Sequence, residues 1–207
     1  MSKSINPLIA VLLLAGVGQA VAASSTDLSV RGVITPSACT PTLSNGGVID
    51  HGKISSKDLN LTARTIIGND TLNMTVNCET AITFALQTVD NRASSAGASS
   101  SSYGLGFING DQKLGDYSLV LANPIADSVP VQTIGTYDLS TTWWRERFMD
   151  PGLYISIATA GGDLQPLAAK DLVVDLQVQT VINRADGLDL SNEVNIDGSA
   201  TVELRYL

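Results

Sequence analysis

The chain has 207 residues, of which 44% are hydrophobic and only 15% are charged, so it can bury a core and is not a disordered chain. Its net charge of −8, without any run of Lys and Arg, argues against nucleic acid as a partner, because phosphate contacts need clustered cations. One His and two Cys are too few for a His-rich metal site or a Cys-rich zinc site, and we expect neither a metal nor a cofactor.

Residues 1–22 have the features of a secretory signal peptide. Lys3 supplies a positive charge, an apolar run covers Pro7–Val17, and Ala20-Val21-Ala22 places small residues where signal peptidase needs them. We therefore predict cleavage before Ala23 and a mature chain, without a membrane span, in the periplasm and then at the cell surface. The alternative, a buried N-terminal helix, is disfavoured because no amphipathic helical pattern downstream could receive it.

Export changes the interpretation of Cys39 and Cys78. Two thiols in an oxidising compartment usually pair. We expect a Cys39–Cys78 disulfide; the alternative is two independent buried thiols.

Apolar and polar residues alternate along most of the mature chain, which predicts β-strands rather than helices. The predicted strands cover residues 28–35, 47–52, 72–78, 82–87, 104–108, 117–121, 131–139, 153–158, 172–180 and 200–206. Turn signals separate them, including one at Gly68–Asp70. Many short strands with one apolar face favour a β-sandwich, which we place in a single domain over 23–207. The Ser-rich stretch 91–102 is predicted to be a flexible surface loop within it.

The sequence Trp143-Trp144-Arg145-Glu146-Arg147 is the most unusual local cluster. Neighbouring residues of a strand point to opposite faces, so at most one of the two Trp residues is expected to be fully buried. The other is expected to cover a sheet edge, or to stack on a sugar or another subunit. Trp143, Trp144 and Arg145 are therefore candidate ligand-binding residues, although a purely structural role is favoured.

Few residues could carry catalysis. His51 is the only imidazole, and no nucleophile motif or metalloprotease motif accompanies it. The acidic stretch between Asp186 and Asp197 lacks the spacing of a calcium loop and is interpreted as a solvated surface. We therefore predict that the chain is not an enzyme and has no catalytic residues.

Several motifs occur in an order that is typical of one protein class. After the signal peptide come Val30-x-Gly32-x-Ile34, Cys39, Asp50-x-Gly52-x-Ile54 with Leu59, Leu72-x-Met74-x-Val76-x-Cys78, and an alternating last strand with Tyr206 as its penultimate residue. In this order they resemble chaperone–usher fimbrial subunits (pilins), and most nearly the GltF-like, fimbria-associated family.

The resemblance implies an immunoglobulin-like, pilin-type β-sandwich with an incomplete strand set. A periplasmic pilus chaperone, and then a neighbouring fimbrial subunit, would fill the open groove by strand addition. Val202, Leu204 and Tyr206 would line the edge that binds these partners. The implied function is that of a secreted structural or assembly subunit in bacterial adhesion.

The N-terminus departs from the pilin pattern. Only Ala23–Asp27 precede the predicted first strand, and this extension is too short and too polar to fill a groove. The chain is therefore expected to accept a donor strand but to be a poor donor, as in a tip, terminating or accessory subunit. The alternative is a complete, self-contained sandwich that acts as a carbohydrate-binding adhesin module and binds a host or surface glycan.

Overall fold

The computed structural model describes residue 29 and residues 38–97, 99–140 and 142–207. The predicted signal peptide, the extension Ala23–Asp27 and the predicted strand 28–35, apart from residue 29, lie outside the described residues. The following description concerns residues 38 onward, which belong to one structural unit.

The described residues form twelve β-strands and no α-helix. The strands are β1 (Cys39–Leu43), β2 (Thr65–Ile82), β3 (Phe84–Asp90), β4 (Tyr103–Gly104), β5 (Phe107–Ile108), β6 (Gln112–Lys113), β7 (Gly115–Ala126), β8 (Val129–Thr136), β9 (Trp144–Arg145), β10 (Tyr154–Thr159), β11 (Ala169–Ile182) and β12 (Ala200–Tyr206). Short 3-10 helices cover Ser44–Gly47, Ser56–Asp58, Ala93–Ser95 and Ala185–Gly187. The all-β prediction is confirmed, and no helix among the described residues is long and apolar enough to cross a membrane.

The main strands follow one another in a single hydrogen-bonded order, β1-β2-β11-β7-β8-β10-β3-β12. All neighbours in this order are antiparallel. The sheet curls until its two end strands approach each other, and the main-chain N–H of Cys39 in β1 donates to the hydroxyl of Tyr206 in β12 at 3.0 Å. The result is a nearly closed, barrel-like sheet, in which β1, β2, β11 and β7 face β12, β3, β10 and β8.

We call these two four-stranded halves of the sheet its two walls, and the main core lies between them. Its side chains come from alternate positions of the strands, as the period of two requires. Six of them, each at most 2% exposed, are Met74, Val76, Phe84, Leu86, Ile155 and Val174. The apolar face of each strand thus turns inward.

The predicted disulfide between Cys39 and Cys78 is confirmed. The two residues are direct partners in the register of β1 and β2. The bond therefore fixes the beginning of an end strand, β1, to the long neighbouring strand β2.

The predicted turn at Gly68–Asp70 is wrong, because these residues lie within β2 and pair with β11. A glycine is required at this position by close packing against another side chain, and not by a turn. A Cβ on Gly68 would lie 2.4 Å from Cε1 of His51. The absence of a side chain thus leaves room for the imidazole.

Segment 47–52 is not the predicted strand. Gly47 and Gly52 have φ values of 75° and 61°, which regular strands do not adopt.

The Ser-rich stretch 91–102 contains a packed residue, Ser95, which is 1% exposed. Its hydroxyl accepts a hydrogen bond from the main chain of Gly106 at 3.0 Å. At Ser95, the described part of this stretch is therefore bonded to the connection between β4 and β5 and is buried.

Residues 144–149 join the two walls on the side away from β1 and β12. Trp144 and Arg145 pair with β8. A few residues on, the main-chain carbonyl of Arg147 and the N–H of Met149 form hydrogen bonds with β7. One segment thus connects β8 to β7, whereas within the described residues no segment fills the corresponding gap between β1 and β12.

Candidate functional site

A groove runs between the end strands β1 and β12. Its first part is a cavity of about 280 Å³ with Leu43 of β1 on one side and Val202 of β12 on the other. The apolar floor of this part includes Leu72, Leu119, Leu176 and Val178 from the central strands β2, β7 and β11. We call this the apolar part of the groove.

The groove continues beyond the ends of the two strands. Its second part is a cavity of about 590 Å³ lined by residues of 49–59 on one side and 190–196 on the other. Its lining mixes apolar residues, including Ile54, Leu59 and Val194, with charged and amide residues. At the rim, Lys53 Nζ lies 3.5 Å from Glu193 Oε2. Both side chains are strongly exposed, so this ion pair contributes little to stability. We call this the mixed part of the groove.

The main chain of β12 is paired along only one of its edges within the described residues. Ser199 and Leu207, at either end, form main-chain hydrogen bonds on the β3 side. Residues of a strand direct their main-chain groups alternately to the two sides, so every second residue of β12 faces the groove. These groove-facing residues are Ala200, Val202, Leu204 and Tyr206. They include the three predicted partner-binding residues.

The side chains of those three residues differ in exposure. Val202 and Leu204 are half-buried against the main core. Tyr206 is 38% exposed. Its hydroxyl accepts the hydrogen bond from Cys39, so it connects β12 to β1 at one end of the groove.

The facing edge of β1 is poorer in hydrogen-bond donors. The N–H of Cys39 points toward β12, where it is bonded to Tyr206. By the alternation of a strand, Pro41 and Leu43 belong to the same groove-facing row. Pro41 has no N–H group, which is a common feature of edge strands. The two edges of the groove are therefore unequal.

His51 lies where the apolar and mixed parts of the groove meet. Its Nε2 is 3.1 Å from the Thr180 hydroxyl, and its Nδ1 is 3.8 Å from Oδ2 of Asp70. That carboxylate oxygen is buried and has no hydrogen bond among the described residues. These contacts attach segment 49–54 to β2 and β11. No group of three or more His, Cys, Asp or Glu side chains in the described part of the chain could hold a metal ion.

The two tryptophans lie in different surroundings. Trp143 is 5% exposed, whereas Trp144 is 38% exposed. Trp143 packs in a small second cluster with Ala85, Ile134 and Ala158. Ala85 and Ala158 alternate with inward-facing residues of β3 and β10, so this cluster lies on the outer face of the wall. Trp143 is thus part of the packing of that face.

Trp144 and Tyr137 form an exposed pair of rings, which we call the aromatic surface. Their centroids are 5.9 Å apart and their planes are tilted by 43°. The indole N–H of Trp144 donates to Glu146 Oε2 at 3.3 Å, and the Tyr137 hydroxyl donates to Asp150 Oδ2 at 3.4 Å. Desolvation raises the pKa of Tyr137, and the negative charges of Asp150 and Glu146 add to this shift. The two carboxylates hold both rings in place.

Arg145, the third predicted ligand-binding residue, is exposed. As the neighbour of Trp144 in β9, it points to the opposite side of the strand.

Two residues of these sites, Tyr137 and Pro41, were not predicted from the sequence. Only the chain path brings Tyr137 to Trp144, whereas the proline in an edge strand was a local signal that could have been noticed.

A family model described as Protein of unknown function (DUF1120) matches residues 28–113 of the chain. Two proteins of Escherichia coli (strain K12) are similar over most of its length. Protein GltF is 26% identical over a match that covers 89% of this chain and 89% of GltF. Uncharacterized protein YhcF is 27% identical over a match that covers 90% of this chain and 92% of YhcF. The predicted similarity to GltF is therefore confirmed, and the fimbrial role remains a proposal.

Proposed function

We propose that the chain is an exported, non-enzymatic subunit of a fimbrial-type assembly that accepts a β-strand in the groove between β1 and β12. Its partners are a periplasmic pilus chaperone and then neighbouring fimbrial subunits. It acts first in the periplasm and then at the cell surface, in bacterial adhesion. In this proposal the fold is a pilin-type, immunoglobulin-like sandwich that lacks one strand.

One observation carries the proposal: the apolar part of the groove lies directly beside the edge of β12 that pairs with no strand among the described residues. An apolar floor and a row of unpaired N–H and C=O groups are both hazards, since they promote aggregation. An added strand would cover both, because its main chain pairs with the edge while alternate side chains enter the groove. On the opposite side of the sheet, residues 144–149 of the chain itself fill the equivalent gap.

Periplasmic yield with and without a coexpressed cognate chaperone tests the proposal. We expect the chaperone to raise the yield of soluble chain, and Tyr206→Ala to lower that yield because it removes an aromatic contact at the groove edge. Tyr137→Ala is the matched control, since Tyr137 is 58% exposed and lies outside the residues that line the groove. An equally soluble, monomeric chain without the chaperone, together with a silent Tyr206→Ala, would reject strand acceptance.

The short extension Ala23–Asp27 gives a second test. It lies outside the described residues, and its five positions are mostly polar. A chain that accepts a strand but cannot donate one should not polymerise with itself. We therefore expect no detergent-resistant ladder on an unboiled gel, and a ladder would show that the chain is also a donor.

The aromatic surface supports a second candidate function, that of a carbohydrate-binding adhesin module. Exposed aromatic rings with fixed orientation can stack on the apolar face of a sugar. Trp144→Ala should then abolish binding on a glycan array while lowering the melting temperature far less than Trp143→Ala does. Trp143→Phe, which alters only the buried tryptophan, should retain the binding. Unchanged glycan binding by Trp144→Ala would reject this candidate.

A further inference from the structure

We infer that the ligand of the aromatic surface is a glycan with free, protonated amino groups, that is, an amino sugar whose amine is not acetylated. This inference rests on the second candidate function, glycan binding, and names the chemical class of the sugar. It follows from the negative charge beside the exposed rings of Tyr137 and Trp144, and from the open arrangement of those rings.

Two carboxylates contact the aromatic surface. The indole N–H of Trp144 donates to Glu146 at 3.3 Å, and the hydroxyl of Tyr137 donates to Asp150 at 3.4 Å. Neither carboxylate forms an ion pair with another described residue. The second oxygen of Asp150, Oδ1, is buried and accepts no hydrogen bond from the described residues. Within the described part of the chain, no cation therefore neutralises the charge beside the rings.

The two arginines nearest in sequence have other positions. Arg145 points to the opposite side of its strand from Trp144. The guanidinium of Arg147 lies over the ring of Phe148, 5.7 Å from its centroid. Desolvation raises the pKa of Tyr137, and the neighbouring carboxylates raise it further. A cationic ligand is therefore attracted to this surface, and an acidic glycan is repelled from it.

The ring pair favours a sugar that carries the cation over a bare ammonium group. The rings of Tyr137 and Trp144 are both exposed, with centroids 5.9 Å apart and planes tilted by 43°. Two such rings form an open surface and not the aromatic cage that encloses a quaternary ammonium. The apolar face of a sugar can stack on one ring, while its amine lies over the other ring or against a carboxylate. A protonated amine has three N–H donors for carboxylate oxygens, whereas a quaternary ammonium has none.

Two oligosaccharides with the same backbone test this inference on the purified mature chain. One is the tetramer of glucosamine, with free amines, and the other is the tetramer of N-acetylglucosamine, with acetylated amines. Calorimetric titration at about pH 6, where Asp and Glu are ionised and the free amines are largely protonated, gives both dissociation constants. We expect the glucosamine tetramer to bind about tenfold more tightly, because an exposed cation–π contact and an exposed ion pair each add a few-fold. Added salt should reduce this preference, because it screens exposed charges.

A pair of variants locates the charge that is recognised. Asp150→Asn removes one negative charge and keeps an oxygen that can accept the hydroxyl of Tyr137, so it should weaken the glucosamine tetramer about threefold and leave the acetylated tetramer unchanged. Asp111→Asn is the matched control, since Asp111 is exposed in the turn between β5 and β6, outside the aromatic surface, and it should change neither affinity. Equal effects of the two variants would overturn the role of Asp150. The comparison of the tetramers on the unaltered chain decides the inference even if Asp150→Asn is destabilised.

Each other outcome has a definite meaning. Equal affinity for the two tetramers, or tighter binding of the acetylated one, overturns the inference but leaves glycan binding intact. Binding of neither tetramer also overturns the inference, and the absence of any bound glycan on the array would overturn the second candidate function as well. Choline is the probe for a bare ammonium group. Displacement of the glucosamine tetramer by an equal concentration of choline would overturn the assignment to a sugar, and failure of choline to displace it supports that assignment.

Discussion

Replacement of Trp143 by Ala should be among the most destabilising single substitutions in this chain. The indole is 5% exposed and lies on the outer face of the wall formed by β3, β8 and β10. Its neighbours Ala85 and Ala158 have side chains too short to fill the space left behind. A buried Trp→Ala substitution costs about 3–5 kcal/mol, and a site that cannot collapse lies toward the upper end of that range.

This loss can be converted to a melting temperature. For a domain of this size, each kcal/mol corresponds to about 2–4 °C, so Trp143→Ala should lower the melting temperature by roughly 8–16 °C. Trp144→Ala is the matched control, because Trp144 is 38% exposed and lies outside the main core. It should lower the melting temperature by only about a quarter as much, since surface substitutions seldom exceed about 1 kcal/mol.

Calorimetry measures both shifts, and tryptophan fluorescence provides an independent check. The chain has two Trp residues. The Trp144→Ala variant retains the buried indole and should emit at shorter wavelength than the Trp143→Ala variant, which retains the exposed one. Equal melting shifts for both variants, or a larger shift for Trp144→Ala, would refute the assignment of Trp143 to the packing of the outer face.

Three further predictions concern the sheet itself. The disulfide closes a loop with a sequence separation of 39, so the Cys39→Ala/Cys78→Ala double variant should lose about 4 kcal/mol in urea unfolding in the chain-entropy model; an unchanged midpoint would contradict this. Burial raises the pKa of Tyr103 and Tyr117 above its usual value, so the neutral phenols stabilise the fold below about pH 10, and this stability is lost as the pH rises further. In an absorbance titration, these two tyrosines should ionise only as the chain unfolds, and their early ionisation would show that they are accessible. Gly115→Ala would place a Cβ 2.1 Å from a main-chain carbonyl oxygen of β11 and should cost about 1–3 kcal/mol, which a denaturation midpoint equal to that of the unaltered chain would disprove.

The two sides of the sheet differ, because one is closed by a segment of the chain and the other carries the groove between β1 and β12. The segment 144–149 closes one side of the sheet because it bonds to both β7 and β8. On the other side, Tyr206 approaches Cys39 at one end of the groove, and the cavity between Leu43 and Val202 lies beyond this contact. In the proposed strand acceptance, β12 would provide the pairing edge, and Leu119 and Leu176 would form part of the apolar floor.

The sequence by itself determined the class of the fold and much of its core. Alternation over 72–78, 172–180 and 200–206 identified parts of β2, β11 and β12, because a strand with one buried face needs an apolar residue at every second position. The prediction that Cys39 and Cys78 pair followed from export and composition alone. These properties are local or compositional, so they can be seen without knowing which strands are neighbours.

Tertiary structure alone decided what surrounds each residue. Gly68 looked like a turn residue, yet it lies inside β2 because the ring of His51, distant in sequence, occupies the place of its Cβ. The alternation of β12 showed which side chains turn inward but not which of its edges lacks a partner strand among the described residues. That depends on which strand pairs with it and on contacts such as the one between Cys39 and Tyr206, 167 residues apart. Strand neighbours are chosen by long-range packing of the whole chain, and no local pattern encodes that choice.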